Sequence, residues 1–188
     1  MPQRTLHTAR ITLVPLADEH LEHEIGLDSD PEVMRFLGSG RPRMAAEVAV
    51  LHLGRIAVPS AAPGLGFWVG FVDAQFVGWW LLEPPEPPDA GSAELGYRLM
   101  RRYWRRGLAG EGARELLRHG FGDLQLTRIF AETMAVNTAS RATLVSLGMT
   151  CIRTFHDEWD EPIPGSEQGE VEYAITSGDW RRMHSGAT

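Results

Sequence analysis

The hydrophobic and polar positions of the chain alternate in some stretches and recur at helical spacing in others, and each pattern predicts one element. Residues 10–16 alternate, which predicts an opening strand that ends at Pro15, and Asp18 is a suitable N-cap for the helix that follows. Residues 67–72 and 76–82 are apolar runs separated by a polar turn, the pattern of a β-hairpin with central strands. Helices are predicted over residues 21–27, 30–37 and 44–57.

The second half of the chain continues this mixture of strands and helices. Asn137 is predicted to cap a helix that runs to about Ser146. The Pro-rich stretch 83–89 predicts a semi-rigid exposed connector within one domain, because the hairpin before it cannot bury both of its faces alone. We therefore predict a single domain over residues 1–188, of the α/β class with a mixed sheet. Its later strands are predicted at residues 93–100, 127–134, 149–155 and 171–176.

A basic turn that contains glycine precedes an amphipathic helix. Apolar or small residues recur on one helical face from Leu108 to Phe121, which predicts a helix that begins near Arg106. The first turn of a helix has unpaired backbone N–H groups and the positive end of the helix dipole, and both favour an anion. We therefore predict a phosphate-binding turn, and the alternative is a solvated basic loop. Four arginines lie just upstream, namely Arg101, Arg102, Arg105 and Arg106.

The spacing of the glycines in this turn excludes two common nucleotide-binding motifs. Gly107, Gly110 and Gly112 are spaced G-x-x-G-x-G, whereas the dinucleotide-binding fingerprint is G-x-G-x-x-G. The chain contains no lysine, which a Walker loop requires. A phosphate bound here would therefore belong to another class of ligand.

Composition narrows the classes of function further. The formal net charge of −7 argues against nucleic acid as the main partner, because a phosphate backbone binds a basic surface. No apolar run has the length of a signal peptide or a membrane span, so we expect a cytoplasmic protein without a membrane partner. The single cysteine, Cys151, is expected to be a small core residue. No group of His and Cys has metal-ligand spacing, so no metal is predicted.

Acidic and basic residues are separated along the chain. Five arginines lie between Arg98 and Arg106, whereas residues 154–180 contain no Arg or Lys. This separation suits a site that takes an anionic donor from one side and a cationic acceptor from the other, and the alternative is two solvated surfaces. The carboxylates of the acidic segment are Asp157, Glu158, Asp160, Glu161, Glu167, Glu170, Glu172 and Asp179.

Two segments resemble the motifs of one enzyme family. The segment Trp104-Arg105-Arg106-Gly107-Leu108-Ala109-Gly110-Glu111-Gly112 is similar to motif A of the GNAT superfamily of acyltransferases, Q/R-x-x-G-x-G/A, and most closely to its ribosomal-protein-acetylating, RimJ/RimL-like branch. Downstream, Asn137 and Ser140 followed by Leu147-Gly148-Met149 are similar to the family's N-x-x-S-x(6)-L-G-F/M. The departures are Trp104 at the Q/R position, Arg105 for Gly, Gly110 for Thr and Gly112 for Ala.

The resemblance implies a GNAT-like three-layer fold. Such a fold has a mixed, mostly antiparallel central sheet with helices on both faces and a splay between the strands before and after motif A. Acetyl-CoA is the implied co-substrate, with its pantetheine arm and thioester beside the backbone of Leu99 and Met100. Asn137 would bond the pantetheine and Ser140 would lie near the sulfur; alternatively, they are only an N-cap and a solvated hydroxyl. The pyrophosphate would lie on the N–H groups of Arg105, Arg106, Gly107, Leu108, Ala109 and Gly110.

The implied activity is acetyl-CoA-dependent transfer of an acetyl group, by direct attack, to a primary amine of a protein N-terminus or a small cationic molecule. Glu94 is the candidate base because the branch often has Glu here, in A-E-L-G-Y, and the alternative is a charge at a strand edge. Ser140 is the candidate acid for the leaving thiolate, with His156 and Tyr97 as alternatives. A non-catalytic acyl-CoA-binding sensor is the alternative function, and a homodimer is left open.

Overall fold

Residues 2–156 and 162–185 are described by the computed structural model, and eight strands in this part of the chain form one sheet. In chain order, β1 to β8 are Leu6–His7, Thr12–Pro15, Gly66–Val72, Gln75–Glu83, Ser92–Leu99, Arg128–Met134, Thr150–Phe155 and Glu170–Thr176. Their order in the sheet is β1-β2-β3-β4-β5-β6-β8-β7, and β5 and β6 are the parallel neighbours in an otherwise antiparallel sheet.

Six α-helices accompany the sheet in the described residues. In chain order, α1 to α6 are Leu21–Asp28, Pro31–Met34, Ala45–Ala61, Leu108–Arg118, Thr138–Ser146 and Ser177–Ser185. Short 3-10 turns lie at Asp18–His20, Arg101–Tyr103 and Ser166–Gln168, and a π-helical turn at His119–Asp123 directly follows α4. No helix of this part of the chain combines the length and apolar character needed to cross a membrane.

Alternation along the central strands divides the core between two faces of the sheet. Trp80 and Leu95 belong to a buried cluster with residues of α4 and α5, and we call this side the α4 face. Trp79 and Leu81 belong to a second cluster with Leu27 of α1 and partly buried residues of α3, and we call this side the α1 face. Helices therefore cover both faces, which confirms the predicted three-layer α/β class with a mixed, mostly antiparallel sheet.

Several local predictions are corrected by tertiary structure. Asp18 is not an N-cap, because Ala17 holds that position and the Asp18 side chain is 88% exposed. Cys151 is exposed rather than buried, because β7 forms the edge of the sheet. Glu83 is the last residue of β4 and is not part of an exposed connector. The second predicted helix ends earlier, at Met34, the third extends to Ala61, and β1 and α6 were not predicted.

The helix α4 docks on the sheet through a glycine and a tryptophan. Trp80 is fully buried, and its indole Nε1 donates a hydrogen bond to the carbonyl oxygen of Ala109 at 3.0 Å. A Cβ atom at Gly112 would lie 2.5 Å from Cε2 of that indole. The indole therefore fills the space that an alanine side chain takes in the family pattern, and it holds the start of α4 close to the sheet.

Gly112→Ala is expected to lower the free energy of unfolding by about 1–3 kcal/mol, because the indole that the new methyl group would meet is fully buried and hydrogen-bonded to Ala109. Denaturant unfolding measures the change. Gly110→Ala on the same helix is the matched control, since its Cβ would meet no atom closer than 3.7 Å and stability should be nearly unchanged. Equal stability of the two variants would contradict the proposed packing of Trp80.

Candidate active site

The central strands β5 and β6 separate after a short paired stretch. They pair over three residues only, from Ser92–Arg128 to Glu94–Phe130. Beyond this point β5 continues to Leu99 and β6 to Met134 without pairing to each other. The splay implied by the family resemblance is therefore present, and its vertex lies at Glu94.

The register between β4 and β5 shows which backbone groups of β5 face this splay. The Met100 N–H donates to the carbonyl of Val77 at 2.9 Å, so Met100, Arg98, Gly96 and Glu94 are bonded towards β4. The alternate residues Leu95, Tyr97 and Leu99 then direct their amides towards β6. The Leu99 carbonyl accepts a hydrogen bond from Trp104 Nε1 at 2.8 Å. The Leu99 N–H and the backbone N–H and carbonyl of Tyr97 are then left for a ligand. Of the two predicted pantetheine contacts, the Met100 N–H is already bonded and the Leu99 N–H is directed into the splay.

The turn after β5 presents free backbone donors. Arg105 and Gly107 both have left-handed backbones, with φ of 58° and 75°, and Gly107 is the N-cap of α4. No side chain caps this helix, so the N–H groups of its first turn have no partner of that kind. The helix thus begins at Leu108, two residues after the predicted start. The N–H groups of its first turn are those of Leu108, Ala109 and Gly110.

The charge around this turn is positive. Arg101, Arg102, Arg105 and Arg106 are exposed, and none of them forms an ion pair within the described portion of the chain. The carboxylate in the first turn of α4 is Glu111, which accepts hydrogen bonds from the Thr8 hydroxyl at 2.6 Å and from Arg10 Nε at 2.7 Å. Burial raises the pKa of Glu111, but these bonds outweigh it and hold the pKa below its ordinary value. This carboxylate is therefore neutralised by Arg10.

Asn137 and Ser140 lie together at the start of α5, as the sequence predicts. The Asn137 side-chain oxygen accepts from the Ser140 N–H at 3.2 Å, which makes it the N-cap, and its amide donates to the Thr133 hydroxyl at 3.1 Å. One amide N–H stays free for another acceptor. Asn137 is thus a cap that can still donate to a ligand in the splay.

Tyr97 joins this pair on the α4 face. Its hydroxyl lies 3.2 Å from Ser140 Oγ, so either group can donate to the other. Burial raises the pKa of Tyr97 above its ordinary value, although hydrogen bonds to Ser140 and Thr143 oppose the shift. The phenol therefore stays protonated and is available as a donor. His156, the other alternative acid, is exposed at the end of β7.

Glu94 projects from the opposite face, the α1 face, because its neighbours Ala93 and Leu95 belong to the α4 face. Its strand lies inside the sheet between β4 and β6, so the interpretation as a strand-edge charge is wrong. Burial, the charge of Glu83 and the charge of Glu132 raise the pKa of Glu94 to about 7. A carboxylate with this pKa can accept a proton near neutral pH.

The acidic segment, which the sequence predicts to lie on the side of a cationic acceptor, is only partly described. Asp157, Glu158, Asp160 and Glu161 lie outside the described residues. Glu172 is buried in β8 and is neutralised by Arg128 and by Arg153, whose Nε lies 2.6 Å from the carboxylate. The separation of charge along the sequence is thus not kept in space at Glu172, because strand pairing brings arginines of β6 and β7 beside it.

Sequence reasoning missed one carboxylate of the site, Glu83, because the prolines that follow it suggested a connector. The continuous apolar run before it was the signal that β4 extends this far.

Within the described residues, no three His, Cys, Asp or Glu side chains are arranged to hold a metal ion.

Comparison with known proteins identifies the class. A family model described as an acetyltransferase (GNAT) domain matches residues 10–150, so the chain belongs to the GNAT acetyltransferase family. The FsC-acetyl coenzyme A-N(2)-transacetylase of Aspergillus fumigatus is 44% identical over 187 residues, covering 96% of this chain and 80% of that protein. Together these findings define an N-acetyltransferase that uses acetyl-CoA.

Solved structures support the same fold. A GNAT-family acetyltransferase from Bacillus anthracis has a TM-score of 0.75 and 19% identity, covering 93% of this chain and 99% of that one. RimL, the ribosomal L7/L12 alpha-N-protein acetyltransferase, in complex with coenzyme A has a TM-score of 0.77 and 15% identity, covering 92% and 97%. RimL is thus a structural neighbour of the chain, as the motif resemblance led us to expect.

Proposed function

We propose that this enzyme moves an acetyl group from acetyl-CoA directly to the primary amine of a cationic acceptor, which is either a small molecule or a protein N-terminus. The observation that carries the proposal is the position of Glu94 at the vertex of the splay, with Tyr97 and Ser140 on the other side of the sheet. An amine beside Glu94 and a sulfur beside Ser140 would approach the thioester from different sides. Direct transfer then needs no covalent enzyme intermediate.

Coenzyme A would be held by two sets of groups. The free N–H groups from Arg105 to Gly110 suit the pyrophosphate, and the four unpaired arginines add to the same field. The Leu99 N–H and the backbone of Tyr97 suit the pantetheine, which would take the place of the missing strand partner. The free N–H of Asn137 supports the same arm from α5.

The ammonium nitrogen must lose two protons as it becomes an amide. Glu94 takes the first, directly or through water, which frees the nitrogen to bond to the acetyl carbon. The carbon–sulfur bond then breaks, coenzyme A leaves as a thiolate, and Ser140 or Tyr97 protonates it. The second proton leaves the nitrogen at this stage and returns, through solvent, to the hydroxyl that protonated the sulfur. A backbone N–H of β5 that faces the splay would stabilise the developing oxyanion.

The acceptor is inferred to be cationic. Glu83 and Glu94 carry the unpaired charge near the vertex, so the local field favours an ammonium group. The name of the Aspergillus relative, N(2)-transacetylase, and the alpha-N-protein activity named for RimL both agree with an amine acceptor.

We further infer that residues 1–188 form one domain. Elements near opposite ends of the chain belong to one structure, since β1 is a strand of the sheet and α6 contacts β8 of the same sheet.

The proposal is tested by a thiol-release assay with acetyl-CoA over a panel of amines. The panel should contain peptides with free N-termini, small cationic amines, and weakly basic amines that are neutral at the assay pH. For cationic amines we expect thiol release that depends on the acceptor. The acceptor should gain about 42 Da, because one acetyl group replaces one hydrogen. Binding of acetyl-CoA without release on any amine would instead favour the sensor.

The two hydroxyls on the α4 face can be separated by substitution. Ser140→Ala and Tyr97→Phe are each expected to lower kcat roughly 10- to 100-fold with little change in the Kd of coenzyme A, because they act on the leaving thiolate. Steady-state kinetics and calorimetry measure the two quantities. If both variants lose affinity and turnover equally, or lose neither, the assignment to thiolate protonation is wrong.

A further inference from the structure

Glu83 and Glu94 lie opposite each other on adjacent strands. Glu83 ends β4 and is the register partner of Glu94 in the antiparallel pair of β4 and β5. The Met100–Val77 bond fixes the phase of this ladder, so the Glu83–Glu94 pair is of the hydrogen-bonded type. The Cα atoms of such a pair are about 5.5 Å apart, and their side chains project from the same face. Two carboxylates therefore stand side by side at the vertex.

Neither carboxylate is neutralised by a direct partner. The side chains of Glu83 and Glu94 make no hydrogen bond and no ion pair with any residue from 2–156 or 162–185. Both are partly buried, in contrast to the exposed carboxylates of the surface. Three other carboxylates on the α1 face have arginine partners, namely Glu24 with Arg55, Asp28 with Arg43 and Arg98, and Glu172 with Arg128 and Arg153. Two carboxyl groups without an arginine partner therefore lie at this point of the sheet.

The charged groups that face the pair come from three elements. Arg55 of α3 acts on Glu83, where burial raises the pKa and the charge of Arg55 opposes this shift. Glu132 of β6 acts on Glu94 together with burial and Glu83, and all three raise the pKa of Glu94. Arg98 shares the strand and face of Glu94 but is bonded to Asp28 of α1. Of the charges that act on Glu94, the largest contribution comes from Glu83.

We propose that Glu83 and Glu94 act as a pair, in which Glu83 holds the acceptor's ammonium group and its negative charge keeps Glu94 basic enough to take the proton. This inference rests on the proposed function and adds a residue and a selectivity to it. The first of the two protons that the ammonium nitrogen loses moves to Glu94, the second replaces the proton given to the thiolate, and Glu83 stays ionised throughout. Glu83 is therefore a positioning residue that selects amines which arrive protonated.

The pair makes a specific demand on the substrate. An acceptor that is an ammonium ion at neutral pH gains attraction from both carboxylates. A weakly basic amine, such as an alkoxyamine, arrives neutral and needs no base of this strength. The enzyme should therefore prefer strongly basic alkylamines, and this preference should depend on Glu83.

The test compares wild type, Glu83→Gln and Glu83→Asp by measuring kcat/KM against pH for a primary alkylamine and an alkoxyamine. For the alkylamine, Glu83→Gln should lower kcat/KM roughly tenfold. It should also move the acid limb, which is the rise of kcat/KM on the acidic side of the pH profile, down by about one pH unit, because a like charge beside Glu94 is removed. Glu83→Asp, which keeps the charge, should restore the limb to nearly its original pH. The alkoxyamine rate should change less than about threefold.

Glu115→Gln is the matched control, since it removes one negative charge from α4 on the opposite face, and it should leave both profiles unchanged. A carbon-13 NMR titration of the glutamate carboxyls reads the same coupling without turnover, as a lower titration midpoint for Glu94 in Glu83→Gln. An unchanged midpoint or an unmoved acid limb overturns the pair while acetyl transfer itself persists. Loss of transfer on every amine in the wild type would contradict the proposed function, and the NMR titration would still decide the coupling.

Discussion

Gly107→Asp is expected to weaken the binding of coenzyme A at least about 100-fold, or about 3 kcal/mol, while the protein stays folded. Gly107 holds φ at 75°, which Asp tolerates better than most residues, and a Cβ there meets only Arg10 Nη2, at 3.6 Å. The new carboxylate would accept hydrogen bonds from the N–H groups of the first turn of α4. These are the groups that would otherwise bind the phosphate, and the carboxylate would also place a like charge beside the phosphate.

Gly107→Asn separates the charge from the volume. Its side chain has the same size and the same tolerance of a left-handed backbone, so it should cost less than about tenfold in affinity. Calorimetric titration with coenzyme A measures both variants, and circular dichroism confirms that each is folded. Equal affinities for wild type and Gly107→Asp would place the pyrophosphate elsewhere.

The sequence predicted the elements of the candidate site correctly where a local pattern determines the structure. The glycines and the periodic apolar residues after Arg106 predicted the helix α4 and its open N-terminus, and both are present. Asn137 was predicted to cap α5 and does so through the Ser140 N–H. In both places the determining residues lie within a few positions of each other, and the long-range contacts of the fold agree with the local pattern.

The sequence could not predict which residues of the candidate site lie close together, because their proximity depends on strand register. The Tyr97 hydroxyl reaches Ser140 across 43 positions of the chain, and no periodicity relates them. Glu83 was assigned to a connector because the prolines that follow it mask the end of β4. Trp80 likewise explains Gly112 only once α4 is docked on the sheet. A sequence pattern fixes which face a side chain takes, whereas pairing decides which residue it meets.

Glu94→Gln is expected to lower kcat about 100- to 10,000-fold, the range measured for a lost general base, with little change in the Kd of coenzyme A. The pKa of Glu94 is raised to about 7, so the wild-type kcat/KM should rise as the pH rises through about 7 and the carboxylate ionises. This limb should be absent in Glu94→Gln. Steady-state kinetics between about pH 5 and 9 measures the effect, and Glu115→Gln again serves as the charge-matched control.

The same substitution has an expected consequence for stability, with a sign that the raised pKa determines. A pKa raised from the ordinary value of 4.5 to about 7 stabilises the fold in acid, and this contribution is lost as the pH rises through about 7. Gln cannot ionise, so the unfolding free energy of Glu94→Gln relative to wild type should increase from pH 5 to pH 8, by on the order of 2 kcal/mol. A variant that is inactive but more stable than wild type at pH 8 would show that burial of this charge is retained for catalysis. An active variant with the acid limb intact would show that another group removes the proton.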